Sequence, residues 1–147
     1  NLDRISEDIK AVGGIDTCYG GIGYHGHIAF NEPPINRLSQ VSVDEFKASK
    51  TRIVPLAEDT IVMNSIRNTG GNPRNFPPMG VTLGMADVLA AKRIRLYCPG
   101  GMWQRHAVRM AIFGEPCVDY PATLLQDHPD YWIIMDEETA KPPGFTS

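Results

Sequence analysis

The chain lacks both a long hydrophobic run and an excess of positive charge. No apolar stretch reaches the ~18 residues that span a bilayer. Its 14 Lys and Arg are outnumbered by 17 Asp and Glu, which gives a net charge of −3. The first residues are polar and do not have the pattern of a signal peptide. We therefore expect a cytoplasmic protein that has neither a nucleic-acid nor a membrane partner.

Cysteine is scarce, and the few thiols follow no recognised pattern. Cys18, Cys98 and Cys117 are odd in number and widely spaced, and no Cys-x-x-Cys pair occurs. This predicts buried, reduced thiols rather than a disulfide framework or a thiolate metal site. Internal repeats and low-complexity segments are also missing. We therefore expect residues 1–147 to form a single domain.

Helical and strand-like patterns alternate along the chain. Helices are predicted at 2–12, 57–68, 83–91 and 102–113, and strands at 15–19, 51–56, 79–82, 94–98 and 131–135. Residues 36–50 and 68–78 are predicted to be long loops, and 141–147 a loose tail. This alternation indicates an α/β fold with a mainly parallel sheet.

One stretch combines glycine with titratable side chains, Gly20-Gly-Ile-Gly-Tyr-His-Gly-His-Ile-Ala-Phe-Asn-Glu-Pro33. Four glycines within residues 20–26 let the backbone turn tightly and let a ligand come close. The stretch follows a predicted strand, and ligand crevices of α/β folds lie past the carboxyl ends of strands. We therefore expect the functional site here.

Two imidazoles and a carboxylate within this stretch support three interpretations. In the first, His27 moves protons near neutral pH and Glu32 orients it. In the second, His25, His27 and Glu32 hold a metal ion. In the third, the same groups satisfy the loop's own backbone. The residue types alone leave all three open.

A second candidate lies where Pro99-Gly100-Gly101 lead from a strand into a helix. Such a turn is predicted to direct free backbone N–H groups and the helix dipole at the crevice, which favours an anion. Arg105 lies in the first turn of this helix, an unfavourable place for a cation unless an anion is bound. Arg67 is equally consistent with solvated charge and with ligand contact.

The glycine stretch resembles the signature of the glucosamine-6-phosphate deaminase/isomerase family, Gly-x-Gly-x-Asp-Gly-His-Ile-Ala-Phe-Asn-Glu-Pro. The related 6-phosphogluconolactonases share Asp-Gly-His but continue with Ser-Leu-Phe-Pro. The similarity to the deaminases extends through most of the chain, in Thr51-Arg-Ile, Asp59-Thr, Asn64-Ser, Gly80-Val-Thr-Leu-Gly-Met and Asp127-His-Pro. It implies a Rossmann-like three-layer α/β/α fold of which this chain is the C-terminal part.

The resemblance also implies a reaction. Family members open the ring of an amino-sugar phosphate, isomerise the aldose to a ketose and release ammonia, without a metal or an organic cofactor. His27 matches the acid–base histidine of ring opening, and Glu32 matches its carboxylate partner. His25 stands where the family has an aspartate, so the catalytic set is altered there.

Five candidate substrate-binding residues follow from the same comparison: Gly23, Gly26, Arg67, Gln104 and Arg105. The family's phosphate-binding arginine aligns with Ile66, one residue before Arg67. Its phosphate-binding lysine aligns with Gln104, one residue before Arg105. A shift of one residue on a helix turns a side chain by ~100°.

The resemblance further implies a missing half. The chain opens without an initiator methionine, and the family's proton-abstracting aspartate and Ser-Gly-Gly phosphate loop lie in an N-terminal half. We expect a fragment that is inactive alone and that forms a homo-oligomer or associates with that half. The alternatives are a non-catalytic sugar-phosphate-binding homologue and a metal-binding domain built on His25, His27 and Glu32.

Overall fold

The computed structural model describes residues 2–34 and 40–144, and within these ranges the fold consists of five short strands and six helices. The strands are β1 (Thr17–Gly20), β2 (Arg52–Pro55), β3 (Met79–Thr82), β4 (Arg93–Cys98) and β5 (Tyr131–Met135). The helices are α1 (Ile5–Ala11), α2 (Val43–Lys47), α3 (Glu58–Asn68), α4 (Met85–Leu89), α5 (Arg105–Phe113) and α6 (Glu137–Ala140). Short 3₁₀ turns are formed by Leu2–Arg4, Pro73–Asn75, Gly101–Gln104 and Pro121–Leu125.

A parallel sheet carries the core. Strand β4 lies in its centre and pairs in parallel with β1 on one side and β5 on the other. Strands β2 and β3 form a separate antiparallel pair. The predicted α/β class with a parallel sheet is therefore confirmed. Pro55 is the last residue of β2, where its missing N–H group interrupts no further pairing.

The two faces of the sheet differ in burial. On one face of β4, Ile94, Leu96 and Cys98 are fully buried and pack in a single cluster with residues of α4 and α5. On the other face, the rings of Tyr97 and Trp132 are half or more exposed. The helices thus press the apolar side of the sheet into a core, and the crevice opens at the carboxyl ends of its strands.

A short helix interrupts the region predicted as a long loop. Helix α2 lies within 36–50, so the loop prediction is wrong over 43–47. Ser42 and Glu45 form a capping box, and Phe46 is buried. The pattern Ser-x-x-Glu is a helix-start signal that the weak periodicity of the region obscured. Residues 36–39 of the predicted loop and residues 145–147 of the predicted tail lie outside the described residues.

Helix α3 has only part of the buried face that its sequence predicts. The helical spacing predicts that Ile61, Val62, Ser65 and Ile66 are inward; Ser65 is buried and Ile61 half-buried, but Val62 and Ile66 are exposed. Thr60, which the spacing does not place inward, is buried. The helix turns polar residues toward the glycine stretch, because its packing surface is the crevice and not the sheet core.

The cysteines are free thiols that differ in burial. Cys98 is buried as predicted, whereas Cys18 and Cys117 are only half-buried. Burial raises the pKa of Cys18 and of Cys98. Every helix within residues 2–34 and 40–144 is too short or too polar to cross a bilayer.

Candidate functional site

A crevice lies past the end of β1, between the glycine stretch and α3. Its volume is about 530 Å³. The stretch after β1 supplies one wall and the polar side of α3 supplies the other. The crevice is lined by Gly23 and by the polar or aromatic side chains of His27, Thr60, Asn64, Arg67 and Trp103.

The glycine stretch folds into a tight loop that encloses His27. The N–H group of Gly23 donates to the carbonyl of His27 at 2.9 Å, and the N–H group of Gly26 donates to the carbonyl of Gly23 at 2.9 Å. The imidazole then lies against the backbone of Gly23. A Cβ atom there would stand 1.9 Å from Nε2 of His27, so only glycine fits beneath the ring.

Gly26 has another task in the same loop. Its φ angle of 69° lies in the left-handed region that favours glycine. Its carbonyl accepts a hydrogen bond from the N–H group of Ala122 at 2.8 Å, which ties the loop to the turn Pro121–Leu125. Sequence reasoning predicts substrate contact at Gly23 and Gly26. The structure places Gly23 in the crevice wall and Gly26 against Tyr120.

Burial sets the charge of His27. The side chain is almost wholly buried, and burial lowers the pKa of this imidazole. The negative charges of Glu32 and Asp59 oppose this effect on the pKa, while His25 reinforces it. Because burial is the larger effect, the pKa of His27 stays below its ordinary value, so His27 is uncharged at neutral pH and can accept a proton.

Glu32 is fixed at the start of α3. Its Oε2 atom accepts a hydrogen bond from the N–H group of Ala57 at 2.7 Å. Within the described residues, neither its Oε1 atom nor the Nδ1 atom of His27 has a hydrogen-bond partner. Glu32 therefore acts on His27 through its charge in this structure, and its orienting role stays a prediction.

His25 is directed to α3 rather than to a shared metal site. Its Nε2 atom forms an ion pair with the carboxylate of Asp59. Its ring lies edge-on to that of His27, with centroids 6.3 Å apart. Among residues 2–34 and 40–144, no three His, Cys, Asp or Glu side chains are placed to hold a metal ion. The metal interpretation therefore gains no support from this geometry. Asp59 is a neighbour of the site that sequence reasoning missed.

The Gly-Gly turn after β4 is closed by side chains. The N–H group of Gly100 donates to Oε1 of Gln104 at 2.8 Å, and that of Gly101 donates to the hydroxyl of Thr139 at 2.8 Å. The prediction of free N–H groups is therefore wrong at both glycines. Gln104 also donates from Nε2 to the carbonyl of Ile22 at 2.6 Å, so its amide joins the turn to the glycine stretch.

The two predicted arginines have different surroundings. Arg105 forms an ion pair with Glu138 and also donates to the Glu138 carbonyl at 2.9 Å. Arg67 lines the crevice, and its guanidinium lies 4.5 Å from the ring centre of Trp103. Trp103 is a further crevice residue, although its helical spacing predicted a place in the core.

Comparison with known proteins identifies the relatives of the chain. It is 36% identical over 137 residues to a glucosamine-6-phosphate deaminase of Thermoanaerobacter pseudethanolicus, covering 93% of this chain and 49% of that protein. It is 38% identical to the glucosamine-6-phosphate deaminase of Halothermothrix orenii, covering 91% of this chain and 50% of that protein. No protein-family model matches the chain.

A solved structure agrees with these relatives. A monomeric glucosamine-6-phosphate deaminase of the NagB superfamily superposes with a TM-score of 0.80 at 31% identity, covering 95% of this chain and 52% of that one. The chain spans about half the length of the curated relatives it matches. It is thus a homologue of the glucosamine-6-phosphate deaminases, related to them over about half of their length.

Proposed function

We propose that this chain binds a hexosamine phosphate in the crevice and that His27 opens the sugar ring. One observation carries the proposal: an imidazole buried so that its pKa falls, beside a buried carboxylate, in the wall of a sugar-sized cavity. The relationship to glucosamine-6-phosphate deaminases supports the same substrate class.

In this step, uncharged His27 accepts the proton of the C1 hydroxyl and returns it to the ring oxygen. The O–H bond at C1 and the bond from C1 to the ring oxygen break, while a C1 carbonyl and a new ring-oxygen hydroxyl form. His27 is an imidazolium between the two transfers. The negative charge of Glu32 favours that state, and the N–H group of Ala57 keeps the carboxylate in place.

Arg67 is the proposed phosphate-binding residue. It lines the crevice and its stacking on Trp103 holds the guanidinium in one orientation. Gln104 and Arg105, in contrast, are engaged with the protein's own groups. We therefore assign them the support of the crevice wall, with Arg67 as the cation for the phosphate.

The later steps belong to the proposal for the whole reaction. We assign the proton shift from C2 to C1 and the release of ammonia to the combination of these residues with a proton-abstracting group outside this chain. The chain corresponds, in this proposal, to the C-terminal half of its relatives. It is then expected to bind and ring-open the substrate without releasing ammonia.

One experiment separates these claims. Wild-type chain is mixed with glucosamine 6-phosphate or galactosamine 6-phosphate, and the exchange between α and β anomers is followed by NMR while ammonia is assayed. Faster anomer exchange without ammonia supports ring opening by the chain. Absence of binding by calorimetry to either sugar phosphate contradicts the proposal.

A non-catalytic sugar-phosphate-binding role is the second candidate. The contact of His25 with Asp59 favours this role, because His25 is one of the three titratable groups of the loop and does not line the crevice. This candidate predicts binding with no acceleration of anomer exchange. The His25→Asp variant then tests whether the altered position is the cause.

A further inference from the structure

A buried threonine in the first turn of α3 lines the crevice. Thr60 is only 2% exposed, and it lines the cavity together with His27. Within the described residues, its Oγ1 atom has no hydrogen-bond partner. A buried polar group without a partner is unfavourable, so such a group in a native fold requires an explanation.

The hydroxyls of Ser65 in α3 and of Thr69 just after it have partners within the protein. Ser65 donates to the carbonyl of Val62 at 2.8 Å, and Thr69 donates to the carbonyl of Ser65 at 3.2 Å. Thr60 lies in the first turn of α3, where no preceding helical turn offers such a carbonyl. Its own carbonyl accepts from the side-chain amide of Asn64 at 2.8 Å, while its hydroxyl is left for another partner.

The position of Thr60 relates it to both ends of the proposed ligand. Thr60, Asn64 and Arg67 line one side of α3 at spacings of four and three residues. Thr60 and Arg67 are therefore separated by roughly 10 Å along the helix, a length that a hexose phosphate spans. A phosphate at Arg67 places the reacting end of the sugar near Thr60 and His27.

We propose that Thr60 is a specificity-determining residue whose hydroxyl binds the C1 hydroxyl of the sugar, the group on which His27 acts. This inference rests on the proposed function. Thr60 holds the C1 oxygen of the sugar against the crevice wall, and His27 removes and returns the proton of that oxygen. The hydroxyl can both donate and accept, so it can follow that oxygen from alcohol to carbonyl as the ring opens.

The test compares two variants with two ligands. Thr60→Val keeps the shape of the side chain and removes the hydroxyl, whereas Thr60→Ser keeps the hydroxyl. Calorimetry measures the Kd of glucosamine 6-phosphate and of its analogue that lacks the C1 hydroxyl. We expect Thr60→Val to weaken glucosamine 6-phosphate binding about tenfold and to leave binding of the analogue unchanged. Thr60→Ser is expected to bind both ligands within about twofold of wild type.

Thermal unfolding supplies a readout that needs no ligand. Removing an unpartnered hydroxyl leaves no group unpaired, so the Tm of Thr60→Val should equal or exceed that of wild type. Thr123→Val is the matched control, because its buried hydroxyl accepts from the N–H group of Cys117 at 2.9 Å and donates to the Tyr120 carbonyl at 2.7 Å. Its Tm should fall.

The outcomes separate the two proposals. Equal loss of both ligands in Thr60→Val, or no loss of either, overturns the role of Thr60 while the proposed function stands. A lower Tm for Thr60→Val also contradicts it, since the hydroxyl would then have a partner within the protein. A wild-type chain that binds neither ligand overturns the proposed function and this inference with it.

Discussion

Replacement of Gly23 by alanine changes the site by a single methyl group. The new Cβ atom would lie 1.9 Å from Nε2 and 2.2 Å from Cε1 of His27. Non-bonded carbon atoms prefer about 3.5–4.0 Å, so the ring must retreat by roughly 1.5 Å or more. Because the ring is buried, it must either move out of its buried position or distort the backbone of the loop. Overpacking of this kind costs about 1–3 kcal/mol of unfolding free energy.

Displacement of His27 is measurable without any assay of function. The chain has four histidines, so their ring-proton NMR signals can be titrated individually. Burial lowers the pKa of His27, and exposure of the ring in Gly23→Ala should therefore raise that pKa toward its ordinary value. If His27 opens the sugar ring, anomer exchange should also fall by about 100-fold or more.

The control is a glycine of the same stretch. At Gly20 an added Cβ atom would lie 3.4 Å from Cδ2 of Leu96, which is ordinary contact. Gly20→Ala should therefore keep the wild-type titration of His27 and the wild-type exchange rate. A Gly23→Ala variant that also keeps both would refute the packing argument, and a change of equal size in both variants would show that alanine disturbs this strand end generally.

Three further predictions concern pH, the Gly-Gly turn and association. Below pH 6.5, the ordinary pKa of histidine, His27 binds a proton in the unfolded chain but resists it in the folded chain. The unfolding free energy should therefore fall as pH falls, until the pH passes the lowered pKa of the folded state. His27→Gln should remove this part of the dependence of unfolding free energy on pH, measured by urea titrations. Gln104→Leu leaves the buried carbonyl of Ile22 and the half-buried N–H group of Gly100 unpaired and should lower unfolding free energy by about 1–3 kcal/mol in the same assay, whereas an unchanged midpoint would refute its supporting role. The exposed rings of Tyr19, Tyr97 and Trp132 favour self-association of the chain, and a strictly monomeric mass in light scattering would contradict it.

Local patterns were sufficient to predict where the crevice lies. Glycine spacing after a short strand predicted a loop that admits a ligand, and the structure places His27 in the crevice wall at that point. Glycine at 23 is required by contact with a ring four residues away, which a local pattern can suggest. The paired faces of β4 also follow from simple alternation of Ile94, Leu96 and Cys98.

Long-range partners could not be predicted in this way. Arg105 is neutralised by Glu138, which lies 33 residues later in the chain. The N–H group of Gly101 in the Gly-Gly turn donates to Thr139 in α6, and His25 contacts Asp59 in α3. Each partner belongs to another element, so its position depends on the tertiary fold rather than on spacing within one segment.

Helix α3 shows why the spacing of apolar residues did not predict which residues of a helix are buried. Apolar spacing places Val62 and Ile66 inside, on the assumption that every amphipathic helix packs on a sheet core. In this fold the helix packs beside a polar crevice, where Thr60 and Asn64 are the useful inward residues. The tertiary environment therefore left two of the predicted inward residues exposed on a helix whose existence and extent were correctly predicted.

The central claim is that His27 opens the ring of a bound sugar phosphate. It is tested most directly by anomer exchange of glucosamine 6-phosphate, measured by NMR with wild-type chain and with His27→Gln at saturating ligand. We expect wild-type chain to accelerate exchange, and His27→Gln to bind the ligand but to lose about 100-fold or more of the acceleration. Equal exchange rates for the two proteins, with ligand bound to both, would contradict it.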